Sequence, residues 1–442
     1  MKKSIIVILL LFVALGQAQD KKWTLLECVN YALENNISIK QSQLNVELAD
    51  LAKKDAIGNF LPSLNASASQ NWNIGLSQDP VTFNAVNATA KNLSGSIGSS
   101  VDIFRGLQNI NTLRQAKINQ LASQYQLDKM KDDTSLFVAN AFLQILANRE
   151  QLKVLQGQNS VTKENIKNTQ ELVDAGVLPQ GDLLEINATD ATQEQQIINA
   201  ENALFLSKLS LAQLLQIKDY MSFDVVDVDY GLVPQDVLNK TPQEIFEKAK
   251  DELNDIKIAR TNTEIAEYDV KIAKGAQLPS LTGSYRFGSN YFTSDLFDTP
   301  SFETQLTDNK SHNFNIGLNI PIFNGFGLRN NVKRNKVNLE RAKYQLEQAE
   351  LDLESTVYQA YNDAKNSRKT YEAALKTEEA RRLAYEYAKE RYNVGLSNAF
   401  DFNQSRTAYE NAQSDVIRTK YDYIFRVKIL DFYFGLPITD LN

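Results

Sequence analysis

Long stretches of the chain place apolar residues at the spacing of packed helices. From residue 339 onward, one set of apolar residues recurs every seven positions, and a second set of small residues occupies the companion positions of each heptad. The first set is Leu339, Leu346, Leu353 and Ala360, and the second is Ala342, Ala349 and Thr356. Two such positions in seven predict helices that pack along a shared seam. Similar spacing at 113–155 and 409–430 extends the prediction to much of the chain.

Four shorter stretches alternate apolar and polar residues with a period of two, which is typical of strands with one apolar face. They predict strands at about 62–75, 92–104, 280–292 and 312–323. Each is about as long as the roughly 9–11 residues that a tilted strand needs to cross a bilayer. A soluble, half-buried hairpin would alternate in the same way.

The composition of the strand faces favours a membrane-crossing sheet with one water-filled side. The polar positions carry Ser, Asn and Gly rather than Lys and Glu. Trp72, Tyr291 and Phe292 lie toward strand ends, where aromatic girdles form at membrane interfaces. We expect the hairpin connections, 77–91 and 289–311, to be long polar loops.

The chain carries nearly the same motifs twice. The Leu-Pro-Ser-Leu motif at 61–64 returns 217 residues later, and the glycines and aspartate of the first half return 219 residues later: Gly106, Gly176 and Asp182 correspond to Gly325, Gly395 and Asp401. Solenoid repeats have periods of roughly 20–50 residues. We therefore interpret the chain as one duplicated and fused unit, with a first repeat at 19–217, an acidic linker at 218–240, a second repeat at 241–436 and a tail at 437–442.

Four strands are too few to close a barrel in lipid. An open sheet edge there leaves backbone groups unsatisfied at a cost of several kcal/mol each, and single-chain barrels begin at about eight strands. Several copies must therefore share one barrel. Two copies give eight strands, whose interior side chains fill, whereas three give twelve and leave a lumen. The predicted fold is mostly α with membrane β: a homotrimer with a shared 12-stranded transmembrane β-barrel and long coiled-coil helices.

Each repeat has room for one very long helix. The helices at about 106–175 and 326–392 each extend roughly 105 Å at about 1.5 Å per residue. Shorter helices at 24–60 and 182–217 pair with the first, and 241–278 and 401–434 pair with the second. Glycines at 176 and 395 predict sharp turns, because a helix-ending glycine takes the left-handed conformation. The turns, or tips, span 173–182 and 392–401.

The N-terminus has the pattern of an export signal. Residues 1–18 combine Lys2 and Lys3 with a short apolar run and small residues before the expected cleavage site, so we predict a cleaved signal peptide. Beyond residue 20 no apolar run is long enough for a transmembrane helix. The single cysteine, Cys28, excludes an internal disulfide, and a net charge of −7 argues against nucleic-acid binding.

Candidate catalytic chemistry is sparse. His312 is the only histidine, which excludes His-based triads and His clusters for metals. We predict neither an enzyme nor a cofactor or metal site. An export channel, a passive outer-membrane porin and a periplasmic coiled-coil scaffold remain alternatives, since a porin needs no long helices and a scaffold needs no lumen-compatible strands.

The repeated Leu-Pro-Ser-Leu motifs, the strand pairs and the two Gly-x5-Asp turns resemble the TolC family of outer-membrane efflux proteins over about residues 22–436. The resemblance implies a homotrimeric tunnel that continues from the outer membrane into a periplasmic α-barrel. It also implies a periplasmic adaptor protein and an inner-membrane pump of the RND, ABC or MFS type, serving multidrug efflux or type I secretion. By this resemblance the adaptor docks on residues around the turn glycines: Val173, Gly176, Val177, Leu178, Val394, Gly395 and Leu396.

The resemblance also implies a gate. Tyr392 matches a tyrosine that closes the tunnel tip in the family, and Asp182 matches its partner. The family's arginine is replaced by Ser397, which implies a weaker or different latch. Asp401 matches one of two aspartate rings at the entrance, and the second position is Gln404. As the alternative, both aspartates only stabilise the first turn of the returning helix, where negative charge is favoured.

Overall fold

The computed structural model describes residues 22–228 and 236–436. The predicted signal peptide at 1–18, the tail at 437–442 and part of the 218–240 linker lie outside the described residues. Across the described ranges, every helix is too short or too polar to traverse a bilayer.

Both halves of the chain contain the same succession of helices, with identical lengths. Helices of 11, 22, 67 and 35 residues occur in each half, and two strands separate the second helix from the third. The first half has α1 (Leu25–Asn35), α2 (Ile37–Gly58), α3 (Gln108–Asp174) and α4 (Gln180–Leu214). The second half has α5 (Pro242–Glu252), α6 (Asn254–Gly275), α8 (Gly327–Asn393) and α9 (Ala399–Tyr433), and α7 (Phe302–Asp308) lies in a hairpin connection.

The first helix of each half begins at the same local signal. Thr24 and Thr241 each cap a helix whose third residue is a glutamate, and each threonine and glutamate exchange hydrogen bonds in a capping box. Such a box satisfies two backbone donors that the helix itself leaves unpaired. Local sequence thus fixes where both halves start.

The prediction of continuous helices at 24–60 and 241–278 is wrong, because each stretch is divided into two helices after the first eleven helical residues. Asn36 and Leu253 have extended backbones, with ψ of 130° and 137°. The Asn36 side chain accepts from the Ser38 N–H at 2.9 Å and donates to the Leu214 carbonyl at 3.2 Å. An asparagine that bonds local and distant backbone groups in this way competes with the helix.

The four long strands form one antiparallel sheet. They are β2 (Ser63–Gln78), β3 (Ala85–Arg105), β5 (Ser280–Ser294) and β6 (Ser311–Asn319), in the order β2-β3-β5-β6. Among the described residues β2 and β6 each pair on one side only, so both outer edges of the sheet present unpaired backbone groups.

The strand bounds correct two expectations. The first connection is not a long loop over 77–91, because β2 and β3 stay paired out to Gln78↔Ala85. The backbone N–H groups of Val81 and Thr82 donate to Asp79 Oδ1 and stabilise the short turn. The last strand ends at Asn319 rather than 323. Pro321 follows, and proline cannot donate to a strand ladder.

Part of the acidic linker packs on the long helices. The strand β4 (Asp224–Val225) pairs in parallel with β1 (Lys22–Trp23). Asp224 accepts from Lys208 at 2.9 Å and forms an ion pair with Arg149, whose side chain is only 12% exposed. Asp227 binds Lys153 at 2.7 Å. The acidic composition of this segment therefore matches basic residues on α3 and α4.

The chain divides into two compact units that are each built from both halves of the sequence. One comprises residues up to 44, 125–257 and from 348 onward, and it buries large side chains such as Phe142, Leu146 and Tyr423. The second comprises 45–124 and 258–347 and contains the four-stranded sheet. Its described buried apolar residues are all Ala or Val, while large residues such as Ile74 and Phe314 are exposed.

Candidate functional site at the two helix turns

Both predicted tips are helix turns with the same backbone geometry. Gly176 and Gly395 have φ of 71° and 75°, in the left-handed region that favours glycine. Val177 N–H donates to the Leu172 carbonyl at 2.9 Å, and Leu396 N–H donates to the Arg391 carbonyl at 2.8 Å. With the bonds from each glycine N–H to the third residue before it, these contacts form a Schellman motif at both helix ends. The expected left-handed conformation of both glycines is confirmed.

The two returning helices begin differently. Asp182 and Asp401 both lie in the first turn of their helices, as expected. Asn398 caps α9 by accepting from the Asp401 N–H at 2.8 Å. Pro179 stands at the corresponding cap of α4 and offers no side-chain hydrogen bond. The Asp401 carboxylate is therefore not needed as the cap of its helix.

Tyr392 and Asp182 line one small cavity of about 60 Å³. Burial raises the pKa of the Tyr392 phenol, the Asp182 carboxylate raises it further, and a hydrogen bond with Thr169 acts in the opposite direction. The Tyr392 ring stacks on Phe402, with ring centroids 4.9 Å apart and planes 9° apart. Phe402 is 3% exposed. The structure thus brings the predicted latch pair together and adds an aromatic support beneath the tyrosine.

The other predicted gate residues lie apart from this cavity. Asp401 and Gln404 are exposed on the first turns of α9, and Ser397 is half-buried in the turn before it. Arg391 lies on the last turn of α8 and donates to the Leu396 carbonyl at 3.3 Å. The second turn therefore has a guanidinium close by, although position 397 is not an arginine.

Apolar side chains project from both turns. Val177 is 66% exposed in the first turn, and Val394 and Leu396 are 68% and 71% exposed in the second. Val173 and Leu178 are half-buried. Phe400, which the sequence reasoning did not single out, is 71% exposed beside the second turn. Exposed apolar clusters of this kind are typical of protein-binding surfaces.

Polar contacts join the two helix pairs beyond the turns. Gln193 donates to Glu410 at 3.0 Å, Gln158 to Gln413 at 2.8 Å, and Gln151 to the Ser414 hydroxyl at 2.8 Å. Burial raises the pKa of the Glu410 carboxyl, while Arg406 and the bond from Gln193 act against that shift. These contacts run from α3 and α4 of the first half to α9 of the second.

Besides Phe400, the sequence did not reveal Thr169, Arg391 and Phe402. Thr169 and Phe402 are buried on their helices, so only the three-dimensional pairing of α3, α8 and α9 reveals their contact with Tyr392. Arg391 is exposed, and its contact with the Leu396 carbonyl is local to the second turn. Across residues 22–228 and 236–436, no group of three or more His, Cys, Asp or Glu side chains could hold a metal ion.

The fold is that of known outer-membrane channels. The Campylobacter jejuni CmeC outer membrane channel superposes with a TM-score of 0.75 at 20% identity, covering 93% of this chain and 85% of that one. The outer membrane protein VceC from Vibrio cholerae superposes with a TM-score of 0.75 at 16% identity, covering 94% and 96% of the two chains.

Sequence comparison agrees over nearly the whole chain. The outer membrane protein TolC of Vibrio cholerae is 23% identical over 427 residues, which is 94% of this chain and 91% of the relative. The family model for outer membrane efflux proteins matches residues 28–215 and 245–435, one match in each half. The chain therefore belongs to the outer membrane efflux protein family.

Proposed function

We propose that this protein is the outer-membrane channel of a tripartite export assembly, and that three copies form one tunnel. The single observation that carries the proposal is the four-stranded sheet with two unpaired edges, in a chain that belongs to the outer membrane efflux family. Members of this family are channel proteins rather than enzymes, and the protein acts in the outer membrane.

The internal repeat supports edge-to-edge assembly because it relates the strand registers of the two halves. In the first hairpin Ser63 pairs with Ser100, and the repeat offsets of 217 and 219 residues convert this pair into Ser280 with Asn319. That pair occurs in the second hairpin. The repeat also relates the β3–β5 pairing to a pairing of β6 with β2. That second pairing is absent within a single sheet. In a ring of copies, β6 of one protomer meets β2 of the next.

A pair of glycines also supports the contact between neighbouring copies. A Cβ added to Gly106 would lie 2.0 Å from the Gly275 carbonyl oxygen, so these two backbones meet closely within one chain. Their repeat counterparts are Gly325 and Gly58, and neither has a neighbour within 4 Å of an added Cβ. In the proposed ring, Gly325 of one copy packs against Gly58 of the next in the same close contact.

A ring of three copies pairs every sheet edge and places the polar face around a water-filled lumen. Two copies would give eight strands, whose interior fills with side chains, whereas three give twelve and a water-filled lumen. The polar face supports a lumen, because Ser67 with Ser96 and Ser69 with Ser94 form cross-strand hydroxyl pairs at 3.0 and 2.8 Å. The domain division follows: two repeats at 19–217 and 241–436, joined by the 218–240 linker.

The two turns serve as the tunnel tip in this proposal. Val173, Gly176, Val177 and Leu178 of the first turn and Val394, Gly395 and Leu396 of the second contact a periplasmic adaptor, which connects the tunnel to an inner-membrane pump. Tyr392 and Asp182 form the latch of the closed tip, Asp401 lines the entrance, and Ser397 and Gln404 leave the latch and the charge ring weaker. A passive porin would have no use for the matched 67-residue helices, and a periplasmic scaffold would have none for the sheet.

The ring predicts a cysteine cross-link between copies. The β3–β5 register, shifted by the repeat offsets, places Leu318 of one copy opposite Ala68 of the next. In a Cys28→Ala background, oxidised Leu318→Cys/Ala68→Cys protein should give covalent dimers and trimers on a non-reducing gel. Within one chain the two positions are separated by three strand spacings, roughly 14 Å, which exceeds the roughly 7 Å limit for a disulfide.

The matched control is Leu318→Cys with Ser69→Cys, which moves one cysteine by a single residue to the opposite face of its strand. This control should remain monomeric on the gel. Bands larger than a trimer, or only monomer from the first pair, would disprove the closed ring of three.

Removal of the protein should make cells more susceptible to exported drugs, as measured by minimal inhibitory concentrations. Val177→Asp with Leu396→Asp should behave like the deletion while amounts and trimers stay unchanged, because a charge in each apolar turn weakens adaptor docking. The control Val81→Asp alters an exposed residue of the β2–β3 turn and should complement fully. Loss of a passive porin would instead lower susceptibility to drugs that enter through it.

Tyr392→Phe should raise the basal open probability of single channels in planar bilayers. The change removes the phenol hydroxyl and its bond with Thr169 but keeps the stack on Phe402. A net hydrogen bond is worth about 0.5–1.5 kcal/mol, which predicts a roughly 2- to 10-fold change in the open–closed equilibrium. Tyr387→Phe, at a tyrosine that is 72% exposed on the same helix, should have no effect. Equal opening of parent and Tyr392→Phe channels would exclude the latch.

Asp401→Ala should reduce the cation preference of the channel, measured as the reversal potential in a salt gradient, because it removes one carboxylate per copy from the entrance. The helix start survives the change, since Asn398 supplies the cap. Asp415→Ala, which removes a surface carboxylate paired with Arg418 on the same helix, serves as the control. Unchanged selectivity in Asp401→Ala would contradict a charge ring at this position.

A further inference from the structure

Arg286 is a charged residue among uncharged neighbours on the polar face of the sheet. It lies in β5 directly opposite Gly98 of β3 and Asn313 of β6, and Asn65 of β2 follows across Gly98. Residues that pair directly across strands share a face, so Arg286 stands in a row of otherwise uncharged residues. The row belongs to the polar face, which is opposite the face of Leu64, Ile97 and Phe314.

The polar face around Arg286 is a neutral recess of about 550 Å³. Serine and asparagine side chains line it: Asn65, Ser67, Ser96, Ser100, Ser284, Asn313 and Asn315. The four strands contain one lysine, Lys91, which pairs with Trp72 on the opposite face, and one further arginine, Arg105. Asp102, the one acidic residue of the strands, binds Arg105 at 3.4 Å. Arg286 therefore sets the charge of this recess.

The guanidinium is available to solutes. Arg286 is exposed, and within residues 22–228 and 236–436 it forms no ion pair or side-chain hydrogen bond. A Cβ added to Gly98 would lie 3.9 Å from Arg286 Nε, so the arginine extends over the glycine of the neighbouring strand. Because glycine has no side chain, position 98 leaves room for the Arg286 side chain.

We propose that Arg286 is an anion-selecting site in the lumen, one per copy and three at one level of the ring. This inference rests on the proposed function, because the polar face lines a lumen only in the assembled barrel. Guanidinium groups bind carboxylate and phosphate oxygens through two parallel hydrogen bonds, and they stay charged at every physiological pH. Rings of arginine or lysine favour anions in other pores. The part of the lumen around Arg286 therefore favours small organic acids and phosphate-bearing compounds.

The size of the effect follows from Coulomb's law with screening. Three unit charges about 10 Å from a passing ion in water, reduced by a Debye length of about 10 Å at 0.1 M salt, change the chloride-to-potassium permeability ratio by roughly two- to fourfold. The effect fades at about 1 M salt, where the Debye length is about 3 Å.

Reversal potentials of purified trimers in planar bilayers test the site, with KCl gradients centred near about 0.1 M and near about 1 M. Arg286→Gln should lower the chloride-to-potassium permeability ratio two- to fourfold at low salt and hardly at all at high salt. Arg286→Lys keeps the charge and should match the parent at both concentrations. Lys91→Gln removes a cation from the opposite face and should also match the parent, because that face does not contact the lumen.

The outcomes separate this inference from the proposed function. A parent protein that forms trimers but no channels would overturn the proposed function itself. Parent channels whose permeability ratio is the same as that of Arg286→Gln at low salt would leave the channel intact and overturn the anion site. A difference that persists at high salt, or that Arg286→Lys reproduces, would assign the effect to pore shape and also overturn it.

Discussion

The unpaired backbone groups along the two outer strands are the constraint on which the proposed assembly depends. The inner strands β3 and β5 each pair with a strand on both sides, whereas β2 and β6 each have one side without a partner strand among the described residues. Backbone groups without partners in a bilayer are too costly to persist. Because β2 and β6 run antiparallel, copies of the same chain can join in one continuous antiparallel ladder. The exposed leucines, isoleucines and phenylalanines of the sheet and the small residues buried near it are consistent with a unit that is completed by its neighbours.

The sequence revealed most of the architecture because its strongest signals are local or repeated. The alternation at 314–319 and the turn glycines at 176 and 395 each have a local physical cause. The breaks at Asn36 and Leu253 escaped prediction, and the break at Asn36 involves a bond to the distant Leu214 carbonyl that no local pattern reveals. The extended β2–β3 hairpin escaped because backbone pairing continues past the point where alternation fades.

The candidate site could be predicted only in part for a similar reason. Family resemblance identified Tyr392 and Asp182, and the structure places both at one cavity. The Phe402 ring stacks beneath Tyr392 where α8 meets α9, and Thr169 reaches the same tyrosine from α3. No single-helix pattern contains that information. The two turns also differ in their caps, proline in one and asparagine in the other, although their backbone geometry is the same.

The equal helix lengths restrict how this chain can change. The two longest helices both contain 67 residues, and the returning helices both contain 35. One inserted residue turns everything beyond it by about 100° around the helix axis and shifts it by about 1.5 Å, so a seam on one side of the insertion no longer faces its partner. Length variation is consequently tolerable only in whole heptads, entered in both repeats and in their returning partners at once. We therefore expect relatives of this chain to differ mainly by side-chain substitution at constant helix length. A change in the length of the long helices requires matched insertions of seven residues at several places in the chain.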